Sequence, residues 1–166
     1  MSNFALKDIR IFYERVLPMS ELFTCFNRKS LETVLPHRGA ALRKIDGVFH
    51  SSGASETMLG VKEISADDQD LEGHFPGAPT YPGYAQDEFI CLVAAALLSV
   101  TNKRLGTNPY VVQKTVRYKK NAVPGDTLIA EVKLTAKKGR FIIFSGEIRN
   151  QNRELVADYE KIVGAI

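Results

Sequence analysis

The sequence predicts an α+β domain in which a long, curved antiparallel sheet wraps one central apolar helix, and three observations carry that reading. Residues 89–100, FICLVAAALLSV, are apolar on every side of a helical wheel, so a helix there has to be buried nearly all round. The C-terminal half is a series of strand-like segments joined by compact turns, which suit antiparallel neighbours. With 166 residues, 45% of them apolar, and no biased tract, the chain is long enough for one domain with a real core.

The elements follow in order. Residues 1–28 mix apolar and charged residues without a clean period, and Pro18 interrupts any single helix, so they read as an extension with some local structure ahead of a domain over 29–166. SLETVLPHRGA reads as a helical turn capped by Ser30 and stopped by Pro36. AALRKIDGVF and ASETMLGVKEIS read as two strands divided by a turn at HSSG. After the central helix, LIAEVKLT alternates strictly: Leu128, Ala130, Val132 and Leu134 share one face, while Ile129, Glu131, Lys133 and Thr135 share the other. VVQKTVRYK before it, RFIIFSGEIR after it and ELVADYEKIV at the end complete a meander of about four long strands, linked by VPGD, KKG and NQN. The outer edge of such a sheet stays open, which favours pairing with a second copy.

Composition narrows the function. A net charge of +3 does not by itself suggest nucleic acid, which usually needs a concentrated basic face. The two cysteines, Cys25 and Cys91, have no metal-ligand or disulfide spacing, and the N-terminus has no secretory pattern, so a reducing cytoplasmic setting is expected. The apolar run 89–100 is shorter than the roughly 20 residues that span a bilayer, which points to a soluble protein without a membrane partner. No metal site and no phosphate-cradling loop is apparent.

Chemistry concentrates in residues 73–89, GHFPGAPTYPGYAQDEF. A cage of prolines and glycines fixes the position of His74, a residue type suited to general-base work near neutral pH. Pro82 and Gly83 fall at the helix start, so the amides of Gly83 and Tyr84 are first-turn donors without helical partners, able to polarise a carbonyl oxygen. Glu88 lies in the second turn, and Asp87 beside it is about 100° away around the wheel, so only one of them faces a given point. Asp87 reads as the carboxylate that complements the helix dipole.

GHFPGAPTYPG followed by Glu88 resembles the signature of the β-hydroxyacyl-(acyl-carrier-protein) dehydratases of the hotdog fold. In that family G-H-F-P-G-x-P-x-x-P-G leads into a helix carrying a glutamate fourteen residues after the histidine. LPHRGAALRKIDGV looks like the family's L-P-H-R entry and first strand. VKEISADD resembles the strand before the motif, and RYKKNAVPGDTLIAEV its basic strand followed by V-P-G-D. The resemblance covers most of the chain beyond residue 29. It departs from the family in YAQDEFICL: Tyr84, Gln86 and Asp87 stand before the glutamate, Phe89 after it, and Leu92 where glutamine is usual. Loss of that glutamine removes a hydrogen-bond partner for the carboxyl group, and Gln86 and Asp87 are placed to reshape an acyl tunnel or to sit on a subunit interface.

The resemblance implies dehydration of a (3R)-3-hydroxyacyl thioester to the trans-2-enoyl thioester, as in fatty acid or polyene/polyketide biosynthesis, with no cofactor. His74 and Glu88 are implied as the catalytic pair, drawn from different subunits of a homodimer. The amide of Gly83 is implied as donor to the thioester oxygen, and Phe75, Pro82 and Tyr84 as substrate-binding positions. Glutamate at 88, where the isomerising branch has aspartate, favours simple dehydration. An acyl carrier protein is implied as substrate bearer, and because such carriers are acidic, Arg117, Lys119 and Lys120 are docking candidates. His37 reads as hydrogen-bonded at a helix end and His50 as exposed beside a turn. A hotdog thioesterase and a non-catalytic acyl-binding dimer partner remain alternatives.

Overall fold

The structure, a computed structural model, describes residues 23–51, 53, 55–102 and 109–166. Most of the predicted extension, with Pro18, lies outside the described residues. Seven antiparallel strands form one sheet in the order β1-β2-β3-β5-β6-β7-β4. They are β1 (Phe23–Asn27), β2 (Gly47–Ser51), β3 (Thr57–Glu63), β4 (Tyr110–Tyr118), β5 (Thr127–Lys138), β6 (Phe141–Arg149) and β7 (Leu155–Ala165). A four-residue helix α1 (Arg28–Leu31) follows β1, and the 20-residue helix α2 (Gly83–Asn102) runs along the sheet.

The apolar run sits inside α2 as expected. Phe89, Ile90, Val93, Ala96 and Leu97 are fully buried. The helix comes so near the sheet that a Cβ on Gly60 of β3 would stand 2.1 Å from Val93 Cγ2 and 3.1 Å from Phe89 Cε2. Only glycine admits that approach, and it makes the room that Phe89 needs. By length and composition α2 is long and apolar enough to cross a membrane, because the helix extends beyond the apolar run at both ends; in this fold most of it is enclosed by the sheet.

Several local expectations are corrected. Asn27, not Ser30, caps α1, its side-chain oxygen accepting from the Ser30 amide at 3.0 Å, and the helix stops at Leu31, well before Pro36. Ala41–Lys44 is a 3-10 turn instead of a strand. It buries Leu42 and Ile45 with Arg43 and Lys44 between them, so two apolar contacts three residues apart resembled alternation. His50 and Ser51 of HSSG belong to β2, and His50 is half-buried, its ring nitrogen 3.3 Å from Ser55 O. The four-strand meander is three strands, β5-β6-β7; β4 lies at the far edge against β7, and VPGD carries the chain across to pair β5 with β3. The Ile64 amide bonds to Asp126 O at 2.9 Å and the Gly125 amide to Ile64 O at 2.8 Å, which fastens that crossing to the end of β3.

β5 keeps its alternation where it leaves the core, but near its start Ile129 is buried together with Leu128 and Ala130, because both faces are covered there. The edge strands are β1 and β4, and β4 exposes Tyr110, Val111, Val112 and Tyr118.

Candidate active site at the start of the central helix

The loop ahead of α2 is held by its own backbone. Gly73 and Gly77 both adopt φ of +79°, a left-handed conformation that a side chain would strain. The His74 amide donates to Leu71 O at 3.0 Å and the Thr80 amide to His74 O at 2.6 Å, so the segment folds back on itself around the histidine. His74 Nδ1 lies 3.2 Å from Glu72 O. Nδ1 carries the proton in that contact, which leaves Nε2 as the free basic nitrogen. The ring packs 5.9 Å, centroid to centroid, from Tyr84, while Phe75 is well exposed.

Tyr84 connects this loop to the body of the domain. Its hydroxyl donates to Asp70 Oδ1 at 3.0 Å, and Lys44 Nζ contacts both oxygens of Asp70 at 2.8 and 2.9 Å. Lys44 and Asp70 are each 14% exposed, so the pair is sheltered enough to hold a fixed geometry. Pro82 is buried, and its carbonyl accepts the first helical bonds, from the amides of Ala85 and Gln86. The Gly83 and Tyr84 amides make no hydrogen bond with a described residue, as a first helical turn requires.

The two neighbouring acids are treated differently. Asp87 does not simply face the helix dipole: its Oδ1 accepts from Tyr118 OH at 2.7 Å and Tyr159 OH at 2.8 Å, and Lys114 Nζ pairs with Oδ2. Tyr118 has one proton, and the carboxylate takes it; Gly83 O, 3.2 Å away, is left with a minor share. Burial, then the Asp87 charge, raises the Tyr118 and Tyr159 phenols far above the usual tyrosine range, so both stay donors. The Tyr118 ring fills the space beside Gly83, where a Cβ would lie 2.8 Å from Tyr118 Cζ.

Glu88 makes no hydrogen bond or ion pair with a described residue. It faces a cavity of about 320 Å³ between α2 and the β4-β7-β6 part of the sheet. Cys91, Ala94, Ala95 and Leu98 continue the α2 wall; Ile142, Phe144 and Ile162 supply the sheet wall, and Tyr110, Val111 and His37 also line it. Burial pushes the Cys91 thiol up to about 12, against an opposing pull from Lys114.

His74 is not among the residues lining this cavity, whereas Glu88 is. His37 does line it, and its side chain is not hydrogen-bonded at the helix end; Arg38 takes that role, donating to Leu35 O at 2.7 Å and Glu32 O at 3.1 Å. Gln86 lines no part of the cavity; it is buried, its amide donating to Tyr81 O at 3.2 Å. Leu92 is in the core, 1% exposed, one helical turn beyond Glu88. Of the three docking candidates, Arg117 pairs with Asp158 and Glu160, and Lys120 with Glu154. Among the described residues no group of histidine, cysteine, aspartate and glutamate side chains is arranged to hold a metal.

Comparison with known proteins places this geometry. Residues 35–160 match the family model of the FabA-like domain. The chain is 32% identical over 135 residues to the 3-hydroxyacyl-(acyl-carrier-protein) dehydratase FabZ of Syntrophomonas wolfei, an alignment spanning 81% of this chain and 92% of that protein. Among solved structures, the PaaI protein of E. coli superimposes with a TM-score of 0.61 at 16% identity, over 100% of both chains. The dehydratase heterocomplex ApeI:P of Xenorhabdus doucetiae gives 0.52 at 19% identity, over 69% of this chain and 92% of that one. At these identities the superpositions speak for the fold alone, which is the hotdog fold.

Proposed function

The chain belongs to the FabA-like domain family, and from that premise we propose that it is a dehydratase converting a (3R)-3-hydroxyacyl thioester to the trans-2-enoyl thioester. The observation that carries the proposal is Glu88: a carboxyl group without a partner in a largely apolar cavity, fourteen residues after a histidine whose Nε2 is free.

The chemistry divides among three groups. His74 Nε2 takes the proton from the carbon α to the thioester carbonyl. The electron pair left behind becomes the new double bond as the β-carbon–oxygen bond breaks, and the departing hydroxyl takes a proton from Glu88 to leave as water. Charge that builds on the thioester oxygen is met by the Gly83 amide, a fixed donor at the positive end of α2. Phe75, Pro82 and Tyr84 would bound the acyl thioester where it passes from loop to helix.

In this reading each complete site takes His74 from one protomer and Glu88 from another. The exposed β4 edge suits pairing of two copies. An acyl carrier protein is the proposed bearer of the substrate, with Lys119 the least encumbered of the three docking candidates.

The test supplies 3-hydroxyacyl carrier-protein thioesters of increasing length and follows the conjugated enoyl product by absorbance. Turnover is expected for some lengths, and both His74→Ala and Glu88→Gln should abolish it while circular dichroism stays unchanged. Release of free thiol without an enoyl product, or no turnover at any length, would refute the reading.

A further inference from the structure

Tyr84 is the second residue of α2, and its ring lies 5.9 Å from that of His74, tilted 55° to it. That separation is within the range at which aromatic rings pack. More than half exposed, the tyrosine would be free to swing into solvent unless something held it. Asp70 does so. It accepts the Tyr84 hydroxyl at 3.0 Å and is itself gripped at both oxygens by Lys44, whose Nζ also stands 5.7 Å from the centre of the Tyr84 ring. An ionised acceptor makes the stronger kind of hydrogen bond, and a sheltered, paired one keeps its place. Lys44 belongs to the 3-10 turn and sits between the buried Leu42 and Ile45, so the far end of this run of contacts is fixed in the core.

The segment that carries Asp70 also holds the histidine directly. Asp70, Leu71 and Glu72 are consecutive: Asp70 anchors Tyr84, Leu71 O accepts the His74 amide at 3.0 Å, and Glu72 O lies 3.2 Å from His74 Nδ1. The imidazole is thus bounded by the carbonyl that takes its Nδ1 proton and by the ring of Tyr84. Turned about its own axis, the imidazole would lose that carbonyl, and with it the preference for one tautomer. We infer that Asp70, backed by Lys44, is a positioning residue: through Tyr84 it keeps the His74 ring in the orientation that leaves Nε2 free to act as base. Neither Asp70 nor Lys44 touches the substrate in this account. The consequence for turnover rests on the dehydratase reading, whereas the hold on the ring does not.

The test reads the ring first and the rate second. The protein has three histidines, at positions 37, 50 and 74, so isotopic labelling of their ring nitrogens gives three imidazoles to follow, and His74→Gln identifies the one of interest. Proton–nitrogen correlation spectra of the neutral rings report which nitrogen carries the proton. The unaltered protein should show His74 protonated on Nδ1. Tyr84→Phe keeps the aromatic ring and the Asp70–Lys44 pair but removes the bond between them; it should shift His74 to a mixture of the two forms and leave His37 and His50 as they were. Asp70→Ala should do the same, and the double variant no more than Asp70→Ala alone, since both cut one link. Asp70→Asn, which keeps an acceptor oxygen for the hydroxyl, should lie nearer to the unaltered protein. With the (3R)-3-hydroxyacyl N-acetylcysteamine thioester of the length turned over fastest, kcat should fall at least about fivefold in Tyr84→Phe and Asp70→Ala while KM stays within about twofold, because a misaimed base costs rate rather than binding.

A His74 that keeps its Nδ1 proton in both variants would overturn the inference, as would an unaltered protein with the proton on Nε2 or a shifted tautomer with kcat unchanged. A shift shared by all three histidines would also overturn it, by marking general loosening. So would a rise in KM with an unmoved spectrum, which would make Tyr84 a wall of the substrate site and nothing more. Should Asp70→Ala fail to fold, Tyr84→Phe carries the same comparison with the ion pair intact. If the unaltered protein dehydrates no 3-hydroxyacyl thioester, the reaction assignment fails, and the spectra still decide whether Asp70 holds His74. Normal turnover with an indifferent tautomer sinks the inference alone.

Discussion

Replacing Asp87 with alanine tests how the start of α2 is held. Three donors converge on that carboxylate, and they lose it unequally. Tyr159 is 0% exposed, so its hydroxyl is left without partner or water, at a cost of roughly 1–3 kcal/mol. Tyr118 is 48% exposed and the Lys114 side chain 29%, so both can turn to solvent, and each adds no more than about 1 kcal/mol. The expected loss is about 2–3 kcal/mol, or a fall of roughly 5–10 °C in the melting temperature of a chain this long. Thermal and urea unfolding followed by circular dichroism at fixed protein concentration would measure it, because an oligomer's apparent stability depends on concentration. A double-mutant cycle supplies the stricter reading. Tyr159→Phe alone should cost about 1.5–3 kcal/mol, since it deletes a bond to a charged acceptor, yet be neutral or stabilising once Asp87 is alanine. A loss below about 0.5 kcal/mol for Asp87→Ala, or strict additivity in the cycle, would show that this hub is not what anchors the helix.

Other perturbations give further outcomes. Gly60→Ala drives a methyl into Val93 and should cost at least about 1–3 kcal/mol, with Gly60→Ala/Val93→Ala recovering much of it in the same unfolding assay. Lys62→Met breaks the buried pair that Lys62 makes with Asp68 at 2.6 Å, where the side chains are 5% and 9% exposed, and should destabilise by about 3–5 kcal/mol; Asp68→Asn in that background should restore part of it, as denaturation midpoints would report. With its thiol pushed up to about 12, Cys91 is neutral at pH 8, so peptide-resolved mass spectrometry should find alkylation there negligible and rising about tenfold per pH unit up to that value. Fast labelling of Cys91 at pH 8 would contradict its burial.

The parts of this fold that a local pattern determines were legible from the residues. FICLVAAALLSV has no polar side to expose, and LIAEVKLT carries the period of a strand. The start of the helix also read through, because Pro82 and Gly83 mark it locally, and α2 begins at Gly83 with Glu88 in its second turn. What did not read through depends on distant partners. Nothing near Asp87 announces Tyr118 and Tyr159, 31 and 72 residues further on, so a helix-end carboxylate was the natural reading of a residue that is a three-donor acceptor. The placing of β4 beside β7 was hidden for the same reason: VPGD looks like a hairpin turn, and only the competition of β3 for the flank of β5 turns it into a crossing. At His37 the residue type was plain but its surroundings were not, since the arginine next to it took the carbonyls the histidine was expected to serve.

α2 divides its labour by angle. Phe89, Ile90 and Val93 seat it against the sheet, where Gly60 and Gly146 leave no slack, whereas Cys91, Ala94 and Ala95 look the other way into the cavity and are all small. Bulk on the second set can therefore change without disturbing the first. In the dehydratase reading, a leucine at position 95 would shorten the space open to an acyl chain while the helix kept its seat, so a few small side chains would set the length of chain admitted.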